Sequence, residues 1–161
     1  DTATFETFEN KGGLREAMIY MAIAAAITGV FGLGDGVGGF VRGILSTLIG
    51  FFVFTYLVFF IGKQQGGTGT FDQVGYSFAL FYAPLTVIFA AITLILVITV
   101  VGILLVPVVG ILAIIANVYF AYLAVQSSMN LTDNGKVWVT LILAGLGSFL
   151  VGLLLAGLLR F

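Results

Sequence analysis

The sequence predicts an all-α fold: a polytopic integral membrane bundle of five transmembrane helices. Three observations predict it. From Gln73 to Thr132 there is no Asp, Glu, Lys, Arg or His. A bilayer core takes about 20 apolar residues per helical crossing, so this stretch is long enough for two crossings and the turn between them. Hydrophobic residues make up 61% of the chain and charged residues 8%, where a soluble domain carries about a quarter charged residues. A core helix of a soluble protein keeps a polar face, and the two consecutive helices of the uncharged stretch have none. The remaining apolar segments are expected to pack around this hairpin as one membrane domain over residues 1–161.

Composition also excludes chemistry. Net charge is −1, which gives no basic surface for nucleic acid. Cys and His are both absent. That removes thiolate nucleophiles, Cys/His zinc sites, His ligation of haem or chlorophyll, and the commonest general acid–base. Ser46, Ser77, Ser127 and Ser148 have no His to activate them. No catalytic residue, cofactor or metal site is expected. The acidic, polar start at Asp1 is unlike a secretion signal, and processing or further upstream residues are expected.

Residues 1–13 are polar, with Phe5 and Phe8 three apart and Thr4, Thr7 and Glu9 placed for a short capped turn. An amphipathic foot on the membrane surface is one role. The expected one is a loosely ordered lead-in that tucks two Phe side chains against the bundle. The first span covers about 14–33, with Arg15 and Glu16 at its start. The pairs Ala22/Ala26 and Ala25/Gly29 would let another backbone approach.

Gly34, Gly36 and Gly39 match the dinucleotide pattern GxGxxG, but that pattern works only between a strand and a helix. Between two membrane helices it is expected to be a turn. The second span covers about 40–62, flanked by Arg42 and Lys63 and loaded with Phe51, Phe52, Phe54, Tyr56, Phe59 and Phe60. Its glycine-rich start, Gly32 to Gly50, leaves room for a late beginning.

After a polar loop the third span covers about 73–99 and contains Pro84, which removes a backbone bond and bends a helix. Tyr76 and Tyr82 are expected near the loop end, in the manner of interface belts. The turn from Val100 to Pro107 is very apolar and could lie within the membrane if its backbone groups are covered.

The fourth span covers about 106–128, opened by Pro107. Asn117 is its most polar deep residue. An interhelical hydrogen bond that fixes register is expected there, and a ligand or ion contact is the sharper alternative. Asn130-Leu131-Thr132 reads as a glycosylation sequon, meaningful only in a secretory lumen. The fifth span covers about 137–159, between Trp138 and Arg160. Ala144, Ser148, Gly152 and Ala156 recur every four residues along it, and this stripe predicts a tight helix–helix seam.

Five crossings put the termini on opposite sides. Lys11, Arg15, Lys63 and Lys136 then share one side, and Arg42 and Arg160 the other. The positive-inside rule makes the first side, with the N-terminus, cytoplasmic.

Several of these residues resemble a known family. They are Thr4-Phe5 before a first helix, Gly75-Tyr76-Ser77 opening the third, and Tyr82-Ala83-Pro84 seven to nine residues later. Gly110 with Asn117-Val118-Tyr119 follows, then a short polar loop with Lys136 before a last helix rich in small residues. Together they are similar to the Yip domain, named after Ypt/Rab-interacting proteins, and closest to its prokaryotic type. The resemblance covers nearly the whole chain. It implies five spans, a cytoplasmic N-terminus and no catalytic residues to carry over. Eukaryotic members associate with small GTPases and membrane-shaping proteins and carry a long cytoplasmic N-terminal region that these 161 residues do not include.

The function expected is that of a non-enzymatic membrane scaffold or interaction protein that packs against other integral proteins or its own copies and organises lipid. The alternatives are an accessory subunit of a larger membrane complex and a transporter or channel component for an uncharged solute. Localisation in a prokaryotic cytoplasmic membrane is expected. Candidate packing residues are Ala144, Ser148, Gly152, Ala156, Asn117, Pro84, Tyr76 and Tyr82.

Overall fold

The computed structural model describes residues 2–9 and 11–158, without the side chains of residues 2, 4, 5, 9, 100, 101 and 158. All described regular structure is helical: α1 Thr2–Glu9, α2 Leu14–Gly32, α3 Gly36–Gln64, α4 Phe71–Val97, α5 Val100–Ile103, α6 Val106–Ser128 and α7 Asn134–Leu158. Three of the five long helices, α4, α6 and α7, fall in separate runs, and α2 and α3 form one apolar run from Leu14 to Gln64; each of these four runs is long and apolar enough to cross a membrane. The expected anchor Arg160, and Asn10 in the lead-in, lie outside the described residues.

Local chemistry accounts for the helix boundaries. The Gly13 N–H donates to the Glu16 carboxylate at 2.9 Å, which fixes the start of α2. Thr70 and Gln73 form a reciprocal capping box at the start of α4: the Gln73 N–H donates to Thr70 Oγ1 at 3.3 Å and the Thr70 N–H to Gln73 Oε1 at 2.9 Å. Pro107 sits in the first turn of α6, where its missing N–H costs nothing. The Gly135 N–H donates to Asp133 at 2.8 Å as α7 begins.

The glycine run makes a hairpin, and α3 begins at Gly36, about one turn earlier than expected. Leu33–Asp35 is a single 3-10 turn, and Gly36 follows at φ 74, a value L side chains resist. The backbones of Gly32 and Gly39 touch, and a Cβ on Gly43 would stand 3.0 Å from the Gly29 Cα. The run thus serves close antiparallel approach of α2 and α3. With no strand beside it, the dinucleotide pattern has no phosphate cradle.

The lead-in is a helix and not a loose segment. Phe8 of α1 lines a cavity together with Pro84, Leu85 and Phe120 of α4 and α6, and Lys11 Nζ stands 4.5 Å from the Phe8 ring centroid. Phe5 has no described side chain. The apolar turn after α4 meets its backbone needs locally, without cover from the rest of the protein. Thr99 Oγ1 accepts from the Gly102 N–H at 3.0 Å, the Ile103 N–H donates to Thr99 at 3.2 Å and the Leu105 N–H to Gly102 at 2.9 Å. Ile98 and Leu104 point outward, each 78% exposed. A turn that satisfies its own backbone is compatible with apolar surroundings.

The core is asymmetric. Buried residues of α4 fall between Val74 and Ala83, those of α6 between Ala121 and Ser128, and those of α7 between Val137 and Ala144. This packed end carries the loops at 65–70 and 129–133, and Lys11, Arg15, Lys63 and Lys136 lie at its helix ends. Beyond it the helices diverge: among the described residues, nothing in 84–97, 106–120 or 145–157 is buried. Ile95, Ile114 and Leu154 are each more than 60% exposed there.

Candidate functional site

Diverging helices leave clefts between them, and three clefts open from the packed end into the splayed half. The central cleft, of about 450 Å³, lies between α3, α4, α6 and α7 and is lined by Phe54, Phe78, Phe81, Tyr82, Asn117 and Trp138 among others. A second, of about 370 Å³, lies between α2, α4 and α6 and includes Thr28, Phe31, Tyr82, Thr86 and Asn117. The third, of about 400 Å³, separates α3 from α7. These volumes fall in the range of small-molecule sites.

The cleft walls are apolar because their hydroxyls turn back on their own helices. Ser46 and Thr47 donate to the Gly43 carbonyl at 3.1 and 2.9 Å. Thr28 donates to Ala24 at 3.0 Å, and Thr86 to Tyr82 at 2.8 Å. Such side chain–backbone bonds discharge the donor and leave little to orient a polar ligand. Three buried hydroxyls have no hydrogen-bond partner: Thr55 and Ser77 in the packed core and Ser148 on the wall of the α3–α7 cleft.

The expected interhelical bond of Asn117 is not formed. Its Nδ2 donates to the Ala113 carbonyl at 2.8 Å, one turn back on the same helix. The neighbours across the clefts offer Phe and Tyr rings and hydroxyls already committed elsewhere, so the amide closes on its own backbone. Asn117 nevertheless stands in the wall of both the central and the α2-side clefts.

Tyr76 and Tyr82 depart from an interface belt. Tyr76 is buried at 5% exposure. Gly12 crosses its ring so closely that a Cβ would come within 2.5 Å of it, and Tyr20 flanks it at 6.4 Å between centroids. Tyr82 lies 11 residues into α4, about 17 Å along the axis, between the same two clefts as Asn117. Pro84 is exposed and lines the same cavity as Phe8. Gly75 and Ser77 are buried beside Tyr76, so the three-residue opening of α4 faces the core.

Within the single chain, the α7 stripe is packed at its first member. Ala144 is fully buried, while Gly152 and Ala156 are exposed in the α3–α7 cleft. A Cβ on Gly152 meets nothing within 4 Å. The close contact between the two helices falls to one side of the stripe, where a Cβ on Gly147 would reach 2.8 Å from Leu57. Beyond that point α7 leans away from α3.

The sequence reading missed the clamp that closes the packed end. Met129 is fully buried, its carbonyl accepts the Thr68 N–H at 3.0 Å, and Asn130 Nδ2 donates to Thr68 Oγ1 at 3.0 Å. Asn130 sits at φ 52. Its amide nitrogen, the atom that a glycan would need, is engaged. The Thr70-x-x-Gln73 spacing was the available local signal; the approach of two loops some 60 positions apart has none.

No curated protein and no solved structure matches the chain. A family model does: the Yip1 domain matches residues 2–155, from α1 through nearly all of α7. The chain therefore belongs to the Yip1 domain family of membrane proteins.

Proposed function

We propose that this Yip1 domain is a non-enzymatic membrane scaffold, with five crossings and a cytoplasmic N-terminus in a prokaryotic membrane. The observation that carries the reading is the splayed half of the bundle. In lipid, helices associate through close van der Waals packing and not by hiding from water. Helices that diverge forgo that packing within the chain and hold their faces available to other integral proteins or to further copies. The broadest such face is the leg formed by the second half of α4 and the first half of α6, where Ile88, Ile95, Ile111 and Ile114 are all exposed. The four cations at the packed end support its cytoplasmic placement by the positive-inside rule.

The test is extraction in mild detergent, native separation and mass spectrometry of what co-migrates. Stoichiometric integral partners, lost on Gly110→Phe in the α6 face, support the scaffold; their identity separates a free-standing role from an accessory-subunit role. A monomer that migrates alone, with Gly110→Phe indistinguishable, overturns it.

One observation favours a second reading, passage of an uncharged solute. Asn117 and Tyr82 stand in the walls of two clefts at once. Solute flux in proteoliposomes that disappears in Asn117→Leu would move the assignment there.

A further inference from the structure

Among the described residues of the splayed half, one cation stands out. Arg42 lies at the head of the α3–α7 cleft, 6 residues after the start of α3 at Gly36, which is about 9 Å along the helix. It has no hydrogen bond or ion pair among the described residues. Asp35, the acid nearest in sequence, does not pair with it. An exposed guanidinium near the end of a membrane helix, with no partner in the protein, is open to a counter-charge from a lipid headgroup.

Beneath Arg42 the cleft is built for a chain and not for a second charge. Its floor is Gly50, where a Cβ would meet nothing within 4 Å, and Gly152 leaves the same space on α7. Ile49, Val53, Val151 and Leu155 supply apolar walls. The cleft narrows where Leu57 stands on Gly147. A slot of about 400 Å³ is thus open at the level of an unpaired arginine, with mainly apolar walls that also carry the Ser46 and Ser148 hydroxyls.

We propose that the α3–α7 cleft is an anionic phospholipid site, with the headgroup phosphate on Arg42 and one acyl chain lying between Gly50 and Gly152. A phosphate accepts two parallel N–H bonds from guanidinium, and this match is what selects the occupant. The acyl chain supplies the van der Waals contacts that the two glycines leave unmade. The lower part of the α7 small-residue stripe then seats a lipid chain in place of a helix. The site rests on the membrane reading of the chain and not on the partner face of α6.

The experiment is native mass spectrometry of the purified full chain in detergent, titrated with dioleoyl phosphatidylglycerol or dioleoyl phosphatidylcholine. The expected result is at least tenfold tighter binding of one phosphatidylglycerol. Arg42→Gln should abolish that preference while phosphatidylcholine binding stays, and Arg42→Lys should restore part of it. Gly152→Phe should lose both lipids, and Gly110→Phe neither. Equal binding of the two lipids by the unaltered chain overturns the proposal, as does an unchanged preference in Arg42→Gln. A Gly152→Phe chain that keeps its lipid but loses a dimer also overturns it, because the cleft then belongs to a second copy. Loss of partners in Gly110→Phe with lipid binding retained separates the failure of this site from the failure of the scaffold reading.

Discussion

Gly69 lies against the Ser128 carbonyl so closely that no Cβ fits between them. The contact joins the loop after α3 to the end of α6, and the Thr68–Met129 hydrogen bond beside it holds the register at 3.0 Å. Backbone faces backbone here, so no side chain can swing aside. Gly69→Ala should cost about 1–3 kcal/mol through overpacking. Thermal unfolding of the detergent-solubilised chain measures it, and an unchanged midpoint would show that the loops are not clamped.

Met129 fills the space that Gly62 leaves. A Cβ on Gly62 would stand 2.8 Å from Met129 Cε, and the methionine is fully buried. Met129→Ala should therefore cost about 2–5 kcal/mol by opening a cavity. Gly62→Ala alone should also destabilise. The pair should cost less than the sum, because the new methyl enters the new void, with a coupling of roughly 0.5–3 kcal/mol. Additive losses in a double-mutant cycle would refute the contact.

Gly12 over Tyr76 ties the lead-in to the core. Gly12→Leu should lift α1 from α4 and α6, since the ring beneath is 5% exposed and has little room to retreat. Local opening of this kind raises cleavage at exposed sites without unfolding the whole. Trypsin should cut after Lys11 several-fold faster in the variant, while the thermal midpoint of the bundle moves little. Equal cleavage rates would show that α1 is not held by this crossing.

Helix content and positions were legible because the long helices lie in extended apolar runs set off by polar loops at 65–70 and 129–133, and Gly or Pro marks the turns within a run, as Pro107 does between Gln73 and Thr132. The capping of α4 at Thr70 was legible too, in the T-x-x-Q spacing, although it needed the helix to begin at Phe71. What could not be read was the direction in which each helix leans. Ala144 and Gly152 belong to one periodic stripe, yet the first is buried and the second open. Spacing places residues on a face; it does not say where along its length that face meets another. The partner of Asn117 was illegible for a similar reason. A buried amide needs a bond, but whether the bond crosses to another helix depends on groups brought near by the fold.

The bond that Asn117 does make sets the last expectation. An amide that bridges two helices in a membrane contributes about 0.6–2 kcal/mol, so Asn117→Leu would cost that much if it held α6 to a neighbour. Here the donor is spent on Ala113 of the same helix at 2.8 Å. Leucine removes that bond and leaves the freed Ala113 carbonyl with its ordinary place in the helix ladder, while adding apolar contact to two clefts. The substitution should change stability by less than about 0.5 kcal/mol, read as the midpoint of unfolding in a graded detergent mixture. A loss above about 1 kcal/mol would mean that the amide reaches across a cleft in the membrane. Register would then depend on Asn117 after all, and the divergence of α6 from its neighbours would be smaller in the bilayer than in the isolated chain.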